Sequence, residues 1–199
     1  MTAVAIIPAR GGSTRIPRKN VRSFRGQPII VYSINTAMAS GLFREIFVST
    51  EDEEIADIAR AYGAKVIPRH PILALNEVGT QKVMQAAMEH ESVQAAGPAQ
   101  ACCIYPTAPL MTVADLVTGW HRLLVPRTVY AMSVGTEPLQ DAGQWYWGWA
   151  SHFLKGEPLL NLNTGIVPIP PERVCDINVE DDWLRAEQLF DAMQAKACA

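Results

Sequence analysis

Short apolar runs alternate with amphipathic stretches along most of this chain. The apolar runs predict buried strands at residues 4–7, 45–49, 64–67, 101–105 and 128–134. The stretches between them place apolar residues at helical spacing and predict helices over residues 28–40, 51–62, 80–90 and 112–124. Strands and helices that alternate with short connections are typical of a parallel sheet covered by helices on both faces. The sequence therefore predicts an α/β fold.

The alternation changes after Val134, where residues 135–158 become rich in aromatic side chains. We interpret this segment as an excursion or hairpin that buries its aromatics against the body of the protein or against a second subunit. A wall that faces a sugar is the functional alternative, and the two interpretations are compatible. Residues 165–169 predict a returning strand, and residues 179–194 predict a last helix with Asn178 placed to cap it. We expect one domain over residues 1–199.

The loop after the first strand is unusually basic. It runs from Pro8 through two glycines and Ser13, and the first acidic residue of the chain is Glu45. Six cations lie in or beside it: Arg10, Arg15, Arg18, Lys19, Arg22 and Arg25. Glycines let backbone N–H groups approach phosphate oxygens, and ligands of α/β sheets bind beyond the carboxyl ends of the strands. This pattern predicts a polyphosphate site, although a solvated basic loop remains the alternative. Neither the Walker motif nor the dinucleotide-binding glycine motif is present.

Charge and composition exclude several classes of function. The net charge of the 199 residues is −3, so the basic first quarter is balanced by an acidic remainder and indicates a local anion site. We expect no nucleic-acid partner, because basic and aromatic residues are not interleaved. No apolar run approaches the roughly 18–20 residues of a membrane span, and the amino terminus does not resemble a signal peptide. Four cysteines without zinc-site spacing favour reduced thiols in a cytoplasmic protein.

Five segments, in order, resemble the cytidylyltransferases that activate nine-carbon acidic sugars. They are ARGGSTRIPRKN, VSTEDEEIADIARAYGAKV, CIYPTAPL, DAGQWYWG and CDINVEDDWLRAE. The group includes the CMP-N-acetylneuraminic acid synthetases, and the DAGQWYWG segment is more similar to the pseudaminic acid cytidylyltransferases. The resemblance implies a Rossmann-like nucleotidyltransferase fold with a mainly parallel sheet. It also implies a reaction in which CTP and a free nonulosonic acid give the CMP-sugar and pyrophosphate, with Mg²⁺ as the cofactor.

The resemblance implies roles for individual residues as well. Matches to the nucleotide-binding positions are Ala9, Arg10, Gly12, Ser13, Thr14, Lys19, Asn20, Thr80 and Thr107. Matches to the sugar-binding positions are Tyr105, Asp141, Gln144 and Tyr146. Asp176 and Asn178 match a two-acid metal motif, and Arg10, Lys19 and Asp176 match residues implied to be catalytic. Oxygen ligands two residues apart can share a hard cation with phosphate oxygens. For Asp176 alone, an acid at a turn or helix start is the alternative.

The sequence departs from the family pattern at several positions. Thr14 stands where the family usually has Lys, and Asn178 replaces the second acid of the metal motif. Gln140 stands where close relatives commonly have His, and Met111 replaces an Arg of the sialic acid branch. Only six residues separate Val134 from Asp141, where relatives carry a longer arm that helps to form a dimer.

The departures leave two functional interpretations, and the resemblance to the wider family leaves a third. The first is a working enzyme with a compact, altered site. The second is a relative that binds nucleotide with weak or no catalysis. The third is a CMP-sialic acid synthetase that acts on another nine-carbon acid. A homodimer is expected despite the shortened arm, with the aromatic segment as part of its interface.

Overall fold

A mainly parallel sheet of seven strands runs through the computed structural model, which describes residues 2–197, and confirms the α/β prediction. Its strands are β1 (Ala3–Pro8), β4 (Phe43–Thr50), β5 (Lys65–Pro68), β6 (Gln100–Ile104), β7 (Tyr130–Thr136), β8 (Leu139–Trp149) and β9 (Thr164–Ile169). The two-residue strands β2 (Ser23–Phe24) and β3 (Gln27–Pro28) form a separate ribbon. The sheet order is β5-β4-β1-β6-β8-β7-β9, and only β8 is antiparallel to its neighbours.

Helices cover both faces of the sheet. They are α1 (Ile29–Ala39), α2 (Glu53–Ala61), α3 (Thr80–Glu89), α4 (Glu91–Ala96), α5 (Val113–Leu123), α6 (Ala150–Leu154) and α7 (Glu180–Ala197), with short 3₁₀ turns at Pro71–Ala74 and Pro171–Arg173. Helices α1, α2 and α5 pack in the core on one face, and α3, α4 and α6 pack in the core on the other. None of the helices in residues 2–197 is both long and apolar enough to cross a membrane.

The aromatic segment forms a strand inside the sheet. β8 pairs with β6 on one side and with β7 on the other, so its residues are enclosed by the body of the same chain. Trp145 and Trp147 are fully buried. Gly119 of α5 permits this packing, because a Cβ atom there would lie 2.5 Å from the ring of Trp145. The structure therefore confirms a hairpin that buries these two tryptophans against the body of the protein, and a wall formed by Trp145 and Trp147 that faces a sugar is wrong.

The cap predicted for the last helix is wrong. Helix α2 shows the preferred arrangement at a helix start, where Asp52 is the cap and its Oδ1 accepts from the Ile55 N–H at 3.1 Å. Before α7, the carboxylate of Asp182 accepts from the backbone N–H groups of Asn178 and Val179 at 2.8 and 2.9 Å. A carboxylate satisfies exposed N–H groups at a helix start more strongly than a neutral amide does. The Asn178 side chain therefore does not cap α7 and contacts Arg15 and Asp176 instead.

Helix α7 packs on the basic loop instead of on the sheet. Ile16 and Phe24 of the loop region share a small buried core with Ile177 and Trp183. Arg22 pairs with Glu180 and lies 4.3 Å above the centre of the Trp183 ring. Because the segment that contains Asp176 leads directly into α7, this packing brings Asp176 beside the loop that follows β1.

Candidate active site

A polar pocket of about 630 Å³ opens at the carboxyl ends of β1 and β6. Ten of the fifteen residues given a role by the family resemblance line it: Arg10, Ser13, Thr14, Lys19, Asn20, Thr80, Tyr105, Thr107, Asp176 and Asn178. Five others do not belong to its lining: Ala9, Gly12, Asp141, Gln144 and Tyr146. Residues from the start, the middle and the end of the chain therefore meet at the edge of the sheet where the α/β topology predicts a ligand.

Three of the six cations of the basic loop line the pocket, namely Arg10, Arg15 and Lys19. The Lys19 ammonium donates to the carbonyl oxygen of Ile177 at 2.7 Å, and the Arg10 guanidinium donates to the carbonyl of Ala74 at 3.0 Å. Burial lowers the pKa of Lys19, and the nearby Asp176 carboxylate partly opposes this. These contacts hold the cations at fixed places while leaving further N–H groups for an anion.

The other three cations are held by carboxylates. Arg18 pairs with Asp52 and Glu54 at the start of α2, and Arg22 and Arg25 pair with acids on α7. Three of the six cations that the sequence assigned to polyphosphate binding therefore hold the loop against helices α2 and α7. The side chains of Arg18, Arg22 and Arg25 remain 34–41% exposed, so the solvated-loop alternative describes this half of the charge.

The backbone of the loop is shaped by close contacts. Asn20 is buried, and its side-chain amide donates to the carbonyl of Arg10 at 2.9 Å. The Gly11 N–H donates to the Glu51 carboxylate at 2.7 Å. A Cβ atom at Gly11 would lie 2.4 Å from an oxygen of Asp52, so only glycine fits there without movement. The start of α2 thus holds the loop against the end of β4.

Asp176 and Asn178 lie together at the mouth of the pocket. The Asn178 side-chain N–H donates to Asp176 Oδ2 at 2.6 Å, and its Oδ1 accepts from the Arg15 guanidinium at 2.7 Å. Within residues 2–197, no three His, Cys, Asp or Glu side chains converge as a metal cage. One carboxylate is still enough to hold a hard divalent cation when phosphate oxygens complete its shell. Asp176 fits that requirement, whereas Asn178 turns its N–H group rather than its oxygen toward Asp176.

Two hydrogen-bonded pairs of side chains lie beside the pocket, Thr80 with Tyr105 and Tyr146 with Asp141. The Tyr105 hydroxyl lies 2.8 Å from Thr80 Oγ1, and its ring meets that of Tyr146 edge to face at 5.6 Å. Tyr146 donates to the carboxylate of Asp141. Burial raises the pKa of Tyr105 to about 12 and also raises the pKa of Tyr146. Of the four residues matched to sugar binding, Tyr105 alone reaches the pocket lining.

Gln144 lies between the sheet and the segment before Asp176. Its side-chain N–H donates to the carbonyl of Arg173 at 2.6 Å, and its Oε1 is buried without a hydrogen-bond partner among the described residues. Arg173 in turn pairs with the carboxylate of Asp115 at the start of α5. Gln144 therefore supports the chain that carries Asp176.

Sequence reasoning missed Arg69, a cation in the pocket wall that is only 7% exposed. It donates to the carbonyl of Ser49 at 2.7 Å, and within the described part of the chain it makes no ion pair. Burial lowers the pKa of Arg69 to about 10. Its position directly after β5 was the available signal, because that strand also ends at this edge of the sheet. Apolar side chains complete this wall: Leu73, Leu75, Val78 and Val83.

Comparison with known sequences agrees with this geometry. The sequence profile of a family described as Cytidylyltransferase matches residues 4–132. A pseudaminic acid cytidylyltransferase of Campylobacter jejuni is 31% identical over 96% of this chain and 97% of its own length. N-acylneuraminate cytidylyltransferase A of Danio rerio is 36% identical over 92% of this chain and 50% of its own length.

Solved structures share the fold. The CMP:2-keto-3-deoxy-manno-octonic acid synthetase complexed with CTP superposes with a TM-score of 0.77, covering 97% of this chain and 100% of that one at 15% identity. Rv0371c of Mycobacterium tuberculosis, solved in complex with manganese, superposes with a TM-score of 0.63, covering 94% of this chain and 99% of that one at 13% identity. At these identities the agreement concerns the architecture, which is that of the nucleotidyltransferases.

Proposed function

The chain belongs to the cytidylyltransferase family of CTP-dependent nucleotidyltransferases, and we propose that it transfers CMP from CTP to a nonulosonic acid, preferentially pseudaminic acid, with release of pyrophosphate. One observation carries the proposal: Arg10, Arg15 and Lys19 converge on a pocket whose mouth holds Asp176. Cations that face a single carboxylate across a polar pocket suit a triphosphate that is bound with a divalent cation. The similarity to the Campylobacter protein over nearly the whole chain supports the choice of sugar.

The reaction in this proposal is an in-line displacement at the α-phosphorus. A bond forms from the sugar hydroxyl oxygen to that phosphorus, and the bond to the bridging oxygen of the leaving pyrophosphate breaks. The enzyme contributes positioning and charge neutralisation rather than a covalent intermediate. Lys19 suits this role because its bond to the Ile177 carbonyl holds the ammonium in one place. Arg10 and Arg15 would contact the outer phosphates.

The nucleoside would occupy the other half of the pocket. Arg69 and the apolar wall around it suit a flat base with carbonyl acceptors, since a buried guanidinium needs acceptor partners. Thr80, at the start of α3, and Thr107 add hydroxyl groups beside it. Apolar walls with a few fixed polar groups are typical of small-molecule sites.

Asp176 would hold a divalent cation, with Mg²⁺ as our proposal. A bound cation would neutralise the charge that develops on the phosphate oxygens. For Asn178 to join as a ligand, its amide group has to turn over and release Arg15, because its oxygen is engaged there. We therefore assign Asp176 as the main protein ligand and Asn178 as the weaker one.

The test is pyrophosphate release by the full chain with CTP, Mg²⁺ and pseudaminic acid, run beside N-acetylneuraminic acid and beside UTP in place of CTP. We expect release with CTP and pseudaminic acid, and much slower release when either substrate is exchanged. Lys19→Met should abolish release, whereas Lys65→Met, which removes an exposed lysine far from the pocket, should not. Absence of release with every nonulosonic acid would overturn the proposal.

A second candidate is a nucleotide-binding protein with little turnover. The contact of Arg15 with Asn178 favours it, because the second acid of the metal motif is replaced and its oxygen is already engaged. In this case CTP raises the melting temperature while no pyrophosphate appears. The double substitution Thr14→Lys and Asn178→Asp should then create activity, and an inert double variant would count against this candidate.

We also propose that the protein acts as a homodimer of single-domain subunits, as the family resemblance implies. Trp145, Tyr146 and Trp147 are buried within the chain and would not take part in such an interface, whereas Leu139 of the same segment is exposed. Light scattering coupled to size exclusion measures the mass directly. A mass near 21.8 kDa at micromolar concentration would contradict the dimer.

A further inference from the structure

Three successive residues fasten the basic loop in three different directions. Arg18 does not line the pocket and pairs with Asp52 at the start of α2. The Lys19 ammonium donates to a backbone carbonyl of the segment before α7. The buried Asn20 amide donates to the carbonyl of Arg10 on the opposite branch of the loop. Because these residues are adjacent, the direction of the Lys19 side chain depends on how Arg18 is held.

The backbone of Arg18 has a conformation that side-chain-bearing residues rarely adopt. Its φ is +55°, in the left-handed region that favours glycine. Its carbonyl accepts from the N–H groups of Val21 and Arg22 at 3.0 and 2.9 Å, so a tight turn begins there. Such a conformation persists only where the surroundings fix it. Here the fixing contact is the ion pair with α2, in which two guanidinium nitrogens donate to the two oxygens of Asp52.

Asp52 contacts both branches of the basic loop. On the branch that leaves β1, a Cβ atom at Gly11 would lie 2.4 Å from Asp52 Oδ2, so the backbone passes directly against this carboxylate. On the branch that leads to α1, both carboxylate oxygens accept from Arg18. The pocket-lining residues 13–15 lie between these two contacts along the chain. Asp52 therefore sets the spacing between the two branches that enclose the predicted phosphate site.

The charge of Asp52 does not by itself suit a neighbour of a triphosphate. Arg18 holds the pKa of this carboxyl below its usual value, so the group is ionised at neutral pH. A negative charge close to a phosphate site weakens the binding of an anion through Coulomb repulsion. Asp52 lies outside the pocket lining, and its Oδ1 is also held by the Ile55 N–H at 3.1 Å. Its effect on a bound nucleotide therefore has to come from the geometry that it gives the loop.

We propose that Asp52 is a positioning residue for the triphosphate of CTP, which it serves by holding Gly11 and Arg18 at a fixed spacing. This inference rests on the function proposed above. With the spacing fixed, the backbone around Ser13 and the ammonium of Lys19 face the same part of the pocket. Asp52 touches neither the nucleotide nor the sugar in this account. It acts only through the loop, and Arg18 is the side chain that transmits its hold.

The proposal predicts an effect on nucleotide affinity that is separate from the transfer step. A loop whose two branches have moved apart holds CTP and the transition state less tightly by a similar factor. A loss of this kind raises the KM for CTP and leaves kcat nearly unchanged. The sign of the effect is decisive, because removal of a negative charge beside a phosphate site would otherwise tighten the binding of CTP.

The experiment is calorimetric titration of the full chain with CTP and Mg²⁺, without sugar, for the wild type and for Asp52→Ser. Serine keeps a side-chain oxygen that can cap α2, but it cannot pair with Arg18. We expect the Kd for CTP to rise about 3- to 10-fold, since a strained backbone conformation loses its bidentate partner. Steady-state kinetics with pseudaminic acid should show the same factor in the KM for CTP and a kcat within about twofold of the wild type.

Two comparisons separate positioning from charge and from general damage to the fold. Glu53→Gln removes a neighbouring carboxylate of α2 that pairs with Arg60 on the exposed face of the helix, and it should leave the Kd for CTP unchanged. Arg18→Gly and Arg18→Ala both remove the ion pair, but only glycine adopts a φ of +55° without strain. Arg18→Gly should therefore bind CTP more tightly than Arg18→Ala, although glycine is the more flexible residue.

Unchanged or tighter binding of CTP by Asp52→Ser would overturn the positioning role. The same conclusion would follow if Arg18→Ala bound CTP as well as Arg18→Gly, because the strained conformation would then not matter. Thermal melting without ligand shows that each variant is folded at the temperature of the titration. A wild-type protein that binds no CTP would refute the proposed function instead, so the wild-type titration alone distinguishes the two failures.

Discussion

Replacing Arg173 by Met should destabilise the protein strongly, because Arg173 joins three parts of the fold. Its guanidinium pairs with the Asp115 carboxylate, which also completes the capping box of α5 with Thr112. Its backbone carbonyl accepts from Gln144 of β8. Three residues later the chain reaches Asp176. The perturbation therefore removes the charged link between α5 and the segment that enters the site.

The expected loss of stability follows from the burial of the ion pair between Arg173 and Asp115. Removing one partner of a buried ion pair typically costs about 3–5 kcal/mol, since the remaining charge is left without compensation. The Asp115 side chain is 8% exposed, but the Arg173 side chain is 20% exposed. Asp115 also keeps two hydrogen bonds from Thr112, at 2.9 and 2.7 Å. We therefore expect a loss of about 2–3 kcal/mol, which corresponds to a fall of about 4–12 °C in melting temperature for a chain of this size.

The assay is urea denaturation and thermal melting of Arg173→Met, Asp115→Asn and the double variant. A double-mutant cycle isolates the interaction between the two side chains, and we expect a coupling of about 1–2 kcal/mol. Arg60→Met is the matched control, because Arg60 pairs with Glu53 and Asp57 on the exposed face of α2. If Arg173→Met melts at the same temperature as the Arg60 control, the reasoning from burial is refuted.

Three further predictions concern the pocket and its loop. Arg69→Met should raise the KM for CTP about 10- to 100-fold with a smaller change in kcat, because hydrogen bonds to charged groups are worth about 1.5–3 kcal/mol; steady-state kinetics that show an unchanged KM would remove Arg69 from the nucleotide site. Asn178→Asp should tighten Mn²⁺ binding to the CTP complex several-fold, since it adds a carboxylate, and electron paramagnetic resonance measures this without turnover; equal affinity would argue against a metal ligand at this position. Arg18 holds the pKa of Asp52 below its usual value of 3.8, so the pair stabilises the fold above that pH and this stabilisation is lost as the pH falls through the lowered pKa. Asp52→Asn should thus lower the melting temperature at neutral pH and match the wild type in strong acid, and a difference that does not depend on pH would contradict this.

The sequence predicts the parallel strands well and does not predict β8 as a strand of the sheet. β1, β4 and β6 are apolar runs bounded by turn residues, and such runs can be recognised as strands from the local sequence alone. β8 cannot be recognised in this way, because Gly143 and Gly148 interrupt its apolar pattern. Gly148 is required by its neighbour across the sheet, since a Cβ atom there would lie 2.4 Å from the Tyr130 ring. Contacts between strands thus decide the place of β8, and no local pattern reveals them.

The candidate site likewise combines features that the sequence predicts with features that only the tertiary structure determines. The cationic loop is evident from composition, but which of its cations face the pocket depends on distant acids. Arg22 meets Glu180, 158 positions away, and Arg25 meets Asp191, 166 positions away. Arg69 is a single buried cation without a motif, so only its place at the end of β5 could have indicated it. Charge predicts that an anion binds, whereas the partners of each charge are set by the tertiary structure.

The contact between Lys19 and the carbonyl of Ile177 has a consequence for how the protein is made. The two residues are separated by 158 positions, so one wall of the pocket is synthesised long before the other. At roughly 5–20 residues per second, about 8–32 s pass on the ribosome between them. Throughout that interval the loop has neither α7 to pack against nor the acids of that helix to pair with. The nascent chain therefore cannot retain a nucleotide in a closed pocket until its final segment has emerged, and ligand binding can assist only the last step of folding.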